Sequence, residues 1–247
     1  MEREDRKNIR EGGVLTTLTC EDNMALMARY PDKHFELAIC DPEYGIGASK
    51  PSIKPCLATQ KNGTKLRVSQ PNYTPKKWDF KLSGEEYFNE LFRVSKNQII
   101  WGANYYGLKG GMIVWDKLNG ESDQMDCEIA FCSFNKRTDL VYYMWSGMFQ
   151  GMYCGKEIRK ALVQQGNKKL NEHRIHPTQK PVALYRWLLQ NYAKKGDKIL
   201  DTNLGSMSIA IACDMEGFDL TGCELDPEYY RDGIKRLETF RSQTTLF

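Results

Sequence analysis

The C-terminal quarter of the chain contains the pattern that most constrains the fold. A short apolar strand, DKILDT, brings Asp201 to its carboxyl end, and a glycine-containing turn, NLGSMS, leads into an apolar helix, IAIACDME. A second strand, DLTGCEL, places Glu224 at its own carboxyl end, about 20 residues after the first acid. Because parallel neighbouring strands need a crossover, usually a helix, this region predicts a βαβ unit in a parallel sheet.

A unit of this kind can hold the adenosine half of a cofactor. The turn approaches the ligand closely, and the acid at the end of the second strand accepts hydrogen bonds from ribose hydroxyls. Short glycine motifs also arise by chance. Taken alone, the same residues fit an ordinary strand-to-helix turn followed by a solvated acid equally well.

The rest of the chain continues the alternation of strands and helices. Further strands are predicted at GVLTTLTC, FELAIC, NQIIWGA, GMIVWDK, EIAFCSF and LVYYMWSG, and further helices at DNMALMARY, EEYFNELFRVS, PVALYRWLLQNYA and from Pro227 through Arg241. FELAIC is apolar at nearly every position, as expected for a strand buried on both faces. The sequence therefore predicts an α/β fold with a doubly wound, mainly parallel sheet, and 247 residues fit one domain over 1–247 with a small inserted region.

A second candidate site lies in LAICDPEYGIG, residues 37–47, where a predicted strand delivers Asp41 at its carboxyl end. Asp41 can accept a hydrogen bond from an amino group, Pro42 stiffens the backbone so that its carbonyl is a second aimed acceptor, and Tyr44 offers a flat face for a base. Two acceptors that grip an exocyclic amine favour its nucleophilic geometry. The alternative is a buried strand with an Asp-Pro turn and a core tyrosine.

Charge and cysteine content limit the classes of protein that this chain can belong to. The net charge is only +3, but residues 50–77 carry basic side chains and no acid (Lys50, Lys54, Lys61, Lys65, Arg67, Lys76 and Lys77). Residues 48–79 lack periodicity and are predicted to form a long loop, of a kind that is usually functional or disordered. The eight cysteines form no CxxC pair, so we expect no metal site and no disulfides, in a cytoplasmic protein. The charged N-terminus predicts no signal peptide, and no apolar run is long enough to span a membrane.

Three segments together resemble one enzyme family. DPEY at 41–44 resembles the DPPY motif of amino-group DNA methyltransferases, NLGSMS stands where those enzymes carry FxGxG, and RIHPTQKPVALYRWLL closely resembles the segment before their cofactor strand. The order of these segments is that of the circularly permuted beta class. The resemblance extends from about Leu15 to Leu237. It implies a Rossmann-like methyltransferase that uses S-adenosylmethionine and acts on double-stranded DNA, with a homodimer as a candidate assembly.

The resemblance also implies roles for individual residues. The catalytic segment comprises Asp41, Pro42, Glu43 and Tyr44, in which Asp41 and the Pro42 carbonyl hold the target amine and Tyr44 stacks on the base. The implied cofactor-binding residues are Asp22, Thr178, Lys180, Asp201, Asn203, Gly205, Ser206, Glu224 and Asp226. Among them, Asp22 meets the adenine, Glu224 holds the ribose, and Thr178 and Lys180 lie near the methionine end. Residues 150–174 are the candidate target-recognition region.

Two residues depart from the family pattern, Glu43 in place of a proline and Met207 in place of a glycine. If Met207 points into the cofactor pocket, binding is weakened; if it points towards the helix, little changes. The leading hypothesis is an adenine-N6 DNA methyltransferase, because an aspartate heads the catalytic motif. Cytosine-N4, RNA or a protein amide are alternative substrates, and a catalytically impaired nucleic-acid-binding homologue is the alternative of a different class.

Overall fold

A single large sheet organises the molecule in the computed structural model, which describes residues 6–11, 13–46, 56–59, 65–68, 82–118, 125–146, 149–152 and 171–244. The strands are β1 (Arg6–Glu11), β2 (Val14–Cys20), β3 (Phe35–Cys40), β4 (Cys56–Thr59), β5 (Lys65–Val68), β6 (Ser95–Trp101), β7 (Gly111–Asp116), β8 (Cys127–Cys132), β9 (Thr138–Ser146), β10 (Phe149–Met152), β11 (Lys198–Asp201) and β12 (Asp219–Glu224). The helices are α1 (Asn23–Met27), α2 (Glu85–Val94), α3 (Ala103–Tyr106), α4 (Val182–Tyr192), α5 (Ser208–Glu216) and α6 (Pro227–Thr244).

The ten-stranded sheet has the order β1-β2-β12-β11-β3-β6-β8-β7-β9-β10. β2, β12, β11, β3 and β6 form an unbroken parallel run, and β7 pairs in parallel with β9. β1, β8 and β10 pair antiparallel with their neighbours. The mainly parallel α/β fold predicted from the sequence is therefore confirmed.

Both faces of the central strands are buried, as the apolar run FELAIC indicates. Leu37 and Ile39 of β3 pack in the same cluster as the apolar side chains of α4, α5 and α6. Ala38 and Cys40, which point to the other face, pack in the cluster that contains α1 and α2. Alternate residues of one strand thus contact opposite helical layers, which gives the three-layer arrangement of a doubly wound fold.

Two features differ from the sequence-based expectation. β1, whose sequence RKNIRE is mostly charged, forms an antiparallel edge strand through register pairs such as Arg6 with Thr19. Within the predicted loop 48–79, β4 and β5 form a separate antiparallel hairpin. The remainder of that loop, and most of the predicted recognition region 150–174, lie outside the described residues.

Candidate active site

The strand order reverses between β3 and β11, and the candidate site lies at this point. From β3 the chain builds outward through β6, whereas β11, β12 and β2 lie on the other side. Ligands in open α/β sheets bind beyond the carboxyl ends of strands at such a switch point. Asp41 follows β3 and Asp201 ends β11, so the two acids come from the two strands that flank the switch.

A cavity of about 920 Å³ opens at this edge of the sheet. Ten of the thirteen predicted site residues line it: Asp22, Asp41, Glu43, Thr178, Lys180, Asn203, Gly205, Ser206, Glu224 and Asp226. Pro42, Tyr44 and Asp201 lie beside it and do not line it. The fold thus brings together the two sites that the sequence predicts separately, and it places them on one continuous wall.

Asp41 is held by two side chains, one at each carboxylate oxygen. The Tyr44 hydroxyl donates to Oδ1, and the Lys180 ammonium donates to Oδ2. Lys180 Nζ also lies 3.3 Å from the Tyr44 hydroxyl and 3.0 Å from Glu128 Oε2. Lys180 was expected near the methionine end of the cofactor; in the structure its side chain is only 2% exposed and its ammonium contacts the catalytic segment.

The ring of Tyr44 fits against backbone and aromatic neighbours. A Cβ on Gly102, whose φ is +74°, would lie 2.2 Å from Tyr44 Cε1, so only glycine leaves room for the ring here. Tyr105 stacks on Tyr44 with ring centroids 4.9 Å apart and an interplanar angle of 19°. Tyr106 fixes the same loop by donating its hydroxyl proton to the Glu43 carbonyl. The WGANYY segment therefore shapes the catalytic loop, a role that its sequence did not reveal.

The Glu43 side chain points towards the cofactor turn. Its Oε2 accepts from the Ser83 hydroxyl at 2.9 Å, and its Oε1 accepts from Asn203 Nδ2 at 3.4 Å. Asn203 Oδ1 in turn accepts from the hydroxyls of Tyr87 at 3.3 Å and Thr202 at 2.7 Å. The residue that replaces the motif proline thus joins the catalytic loop to the turn after β11.

Backbone hydrogen bonds to acidic side chains stabilise the turn after β11. Asp201 Oδ1 accepts from Asn203 N at 2.9 Å, and Glu224 accepts from Gly205 N at 2.8 Å and from Asp226 N at 2.9 Å. Gly205 has a φ of +48°, a conformation that glycine adopts without steric strain. Burial raises the pKa of Asp201 to about 8, and burial also raises the pKa of Glu224.

Met207 turns away from the cavity. Its φ of +57° is the left-handed conformation that a glycine would favour, yet its side chain is fully buried. A Cβ on Gly233 of α6 would lie 2.8 Å from Met207 Cγ and 3.0 Å from its Sδ, so the methionine packs directly on that glycine. Of the two outcomes set out for Met207, the structure has the one in which the side chain faces the helix.

The other predicted cofactor-binding residues also have local structural contacts. Asp22 caps α1 by accepting from Met24 N at 2.9 Å and Ala25 N at 3.3 Å. The Thr178 hydroxyl lies 3.1 Å from His176 Nδ1. The His176 ring meets the Tyr229 ring edge-on, with the ring centroids 4.3 Å apart.

Comparison with known proteins identifies the family to which the chain is similar. The family described as DNA methylase, of the N6/N4 methyltransferase type, matches residues 35–235. The chain belongs to this DNA methylase family. Its members use S-adenosylmethionine as the methyl donor, and the resemblance stated from the sequence is confirmed.

Individual relatives of this chain are distant. A DNA adenine methyltransferase of Escherichia coli K12, YhdJ, is 33% identical over 69 residues, which cover 28% of this chain and 24% of that protein. The chain matches less than half the length of the first two curated relatives. The M1.HpyAVI complex with SAM has a TM-score of 0.55 at 16% identity, covering 90% and 99% of the two chains. The cytosine-N4-specific PvuII DNA methyltransferase has a TM-score of 0.51 at 11% identity, covering 92% and 90%. At these identities the two structures support the fold alone.

The cavity of this family member fits S-adenosylmethionine in its chemistry. Its wall carries acids that follow β2 and β3, acids at the end of β12 and acids at the start of α2, whereas Lys180 is the only lysine among the described residues that line it. A cationic ligand with ribose hydroxyls matches such a wall, because buried carboxylates gain both an opposite charge and hydrogen-bond donors.

In the part of the chain that is described, no group of three or more His, Cys, Asp or Glu side chains is arranged to hold a metal ion. A search of the same residues finds no helix that is long and apolar enough to cross a bilayer.

Proposed function

We propose that this chain transfers a methyl group from S-adenosylmethionine to the exocyclic N6 amine of an adenine flipped out of DNA. The observation that supports this most directly is the shared cavity, whose wall contains both Asp41 after β3 and Glu224 after β12. A methyl group can pass between two ligands only if their sites are in direct contact. One cavity whose wall carries both an amine acceptor and a ribose acceptor meets that requirement.

On the substrate side, Asp41 and the Pro42 carbonyl accept hydrogen bonds from the target amine. The lone pair of this amine is delocalised into the base, so two acceptors favour the tetrahedral geometry in which it becomes a nucleophile. Tyr44 stacks on the base, with its ring held by Tyr105 and by the close approach of Gly102. Since the methylated amine is itself acidic, no strong base is needed before transfer.

On the donor side, Glu224 and Asp22 hold the ribose and adenine, and the turn 201–206 surrounds the rest of the nucleoside. S-adenosylmethionine supplies an electrophilic methyl group when bound. Thr178 contacts its amino-acid end, together with Asn203, Ser206 and Asp226 on the cavity wall. We assign Lys180 to the substrate side, because its ammonium bonds to Asp41.

A base in duplex DNA has to leave the helix before such a pocket can receive it. The basic segment 48–79 starts directly after the catalytic loop, so we propose that its lysines contact phosphates around the flipped nucleotide. Residues 150–174 are the proposed target-recognition region. Phosphate contacts of this type carry no sequence information and weaken as salt concentration rises.

Cytosine-N4 methylation is the second candidate. The family includes both chemistries by name, and the similar proteins include an adenine enzyme and a cytosine-N4 enzyme. An impaired homologue is less well supported, because the Met207 side chain packs on Gly233 and leaves the cavity open.

The test is methylation of mixed-sequence DNA followed by nucleoside analysis. The proposal expects N6-methyladenine, formed only when both S-adenosylmethionine and the chain are present. If the second candidate is correct, N4-methylcytosine is formed instead. Neither product with DNA, under conditions in which the chain binds S-adenosylmethionine, would contradict both; a parallel incubation with RNA would then test that alternative substrate.

A further inference from the structure

A second carboxylate lies behind the catalytic segment, and no sequence motif includes it. Glu128 of β8 places its Oε2 3.0 Å from Lys180 Nζ, within ion-pair distance of the ammonium that also contacts Asp41. The three side chains are largely buried, with exposed fractions of 2% for Lys180, 17% for Asp41 and 18% for Glu128. One buried ammonium therefore lies within ion-pair distance of two largely buried carboxylates.

The cluster continues to a fourth charge. Glu128 Oε1 lies 2.5 Å from Lys117 Nζ, so the order is Asp41, Lys180, Glu128, Lys117, with alternating sign. The sheet fixes this arrangement, because Glu128 pairs in register with Trp115 of β7 and Lys117 N donates to the Asp126 carbonyl at 2.9 Å. Alternating charges on paired strands keep the cluster close to neutral, which buried ions require.

Because Lys180 lies close to the charges of two carboxylates, its interaction with Asp41 is weaker than it would be with Asp41 as its only partner. A buried lysine with one carboxylate as its only partner forms a close pair that ties up the acceptor oxygens. With Glu128 also within ion-pair distance, the attraction of the ammonium is divided between two carboxylates, and Asp41 keeps accepting capacity for an incoming amine. The other groups that face Lys180 are the Tyr44 hydroxyl and the rings of Tyr44 and Trp101.

Electrostatics in the buried cluster agree with this geometry. Burial raises the pKa of Asp41; Lys180 lowers it, and Glu128 raises it further. Burial also raises the pKa of Glu128, but Lys180 and Lys117 outweigh burial and lower it to about 2. Glu128 is therefore ionised at neutral pH. Asp201 of β11 and Tyr185 of α4 are the remaining titratable groups close to Asp41 and Lys180.

We propose that Glu128 is a positioning residue for methyl transfer, which attracts the Lys180 ammonium away from Asp41 so that the Asp41 carboxylate is free to accept the target amine. The inference rests on the proposed function of Asp41. It predicts opposite effects for substitutions at Glu128 and at Lys117. Glu128→Gln leaves Lys180 to Asp41 alone, whereas Lys117→Met makes Glu128 compete more strongly for Lys180.

The first measurement needs neither DNA nor turnover. The carboxyl carbon of Asp41 is titrated by NMR in aspartate-labelled chain, with its signal assigned by its loss in Asp41→Asn. Glu128→Gln should lower the titration midpoint by about one pH unit and Lys117→Met should raise it by a similar amount. Glu90→Gln, which removes an equivalent charge from the Arg93 pair on α2, should leave it unchanged. Shifts of the same sign in both variants, or no shift, would overturn the inference.

The second measurement is the pH profile of methyl transfer. In Glu128→Gln, kcat/KM for DNA should fall roughly ten-fold at neutral pH, and the acid limb should move to lower pH, while affinity for S-adenosylmethionine is retained. A purely structural role would lower activity without moving the limb and would contradict the proposal. If the unmodified chain transfers no methyl group, the proposed function fails, and the Asp41 midpoints still decide whether Glu128 controls Lys180.

Discussion

The catalytic loop and the cofactor turn each contain one residue that departs from the family pattern, and the structure accommodates the two in opposite ways. Met207 keeps the left-handed backbone conformation of the glycine that it replaces and buries its side chain against Gly233. Glu43 keeps its side chain on the cavity wall and bonds to Ser83 and Asn203. The Met207 side chain is therefore packed in the core, whereas the Glu43 side chain is part of the site.

This contrast shows that the chemical groups of a motif can be kept when other residues of the motif change. Asn203, which lies in the cofactor turn, is the partner of Glu43. The acid of the catalytic loop is thus bonded to a side chain of the cofactor turn. At Met207 the neighbour is Gly233 of α6, where a residue with a Cβ would collide with the methionine.

The largest effect is expected at Asp41, which belongs to the unchanged part of the catalytic loop. Asp41→Ala removes the acceptor for the target amine, so methyl transfer should fall by ~10³-fold or more while S-adenosylmethionine still binds. The measurement is single-turnover transfer at saturating donor, beside a calorimetric titration. Asp32→Ala, on a surface aspartate paired with Arg93, is the control and should keep full activity. Retained transfer in Asp41→Ala would refute the role given to Asp41.

The cofactor turn should make folding stability depend on pH through Asp201. Because its pKa is raised to about 8, the folded chain holds a proton that the unfolded chain has already lost. This contribution is fully present below the unfolded pKa and is lost as pH rises through about 8, with a slope of up to about 1.4 kcal/mol per pH unit.

Asp201→Asn should remove that slope, because an amide does not titrate and its oxygen can still accept from Asn203 N. The measurement is the free energy of unfolding of the ligand-free chain from pH 4 to pH 9 by denaturant titration, for both proteins. Equal slopes in the two proteins would show that Asp201 is already ionised in the folded chain at neutral pH.

The pairing of Met207 with Gly233 can be tested by a double-mutant cycle. Met207→Gly relieves a strained backbone but empties part of the core, so the free energy of unfolding should fall by about 2 kcal/mol with no change in cofactor affinity. Gly233→Ala should destabilise the original chain, because its Cβ meets Met207.

In the Met207→Gly background the same alanine should stabilise the chain, because it fills space and favours the helix by about 1 kcal/mol. Denaturant unfolding of the four proteins gives the cycle. Additive effects would contradict direct packing of Met207 on Gly233. A large loss of cofactor affinity in Met207→Gly would contradict the orientation of the Met207 side chain away from the cavity.

The smallest effect is expected at Glu43. Glu43→Gln keeps the hydrogen bond from Ser83 but removes a charge from the cavity wall, so affinity for the cationic donor should fall about two- to five-fold. Calorimetry with S-adenosylmethionine and with its neutral product, S-adenosylhomocysteine, is the measurement, and only the first should change. Equal losses for both ligands would indicate that Glu43 acts through loop structure alone.

Sequence patterns predict the fold well where burial determines the pattern. The strand FELAIC and the unit from Lys198 to Glu224 follow directly from continuous apolar runs between turn residues. The charged strand β1 is missed because an edge strand forms through backbone pairing and needs no apolar pattern. The hairpin of β4 and β5 is missed for a related reason, since its short strands carry no clear alternation.

The candidate site is predictable only where its residues lie in motifs. Asp41, Gly205 and Glu224 follow from strand ends and turn chemistry, whereas Glu128 lies inside EIAFCSF, and nothing local indicates that it reaches Lys180. Gly102 also has no local signal, because its requirement comes from the ring of Tyr44 more than fifty residues earlier. An acid inside an otherwise apolar strand is the one clue that points to Glu128, since a buried carboxylate needs a partner.

The central claim is that one cavity at the switch point of the sheet holds the methyl donor despite the departures at Glu43 and Met207. Calorimetric titration of the unmodified chain with S-adenosylmethionine tests it most directly. The account predicts saturable binding at one site per chain, weakened by Glu224→Gln and unaffected by Asp41→Ala. No detectable binding at high ligand concentration would contradict it.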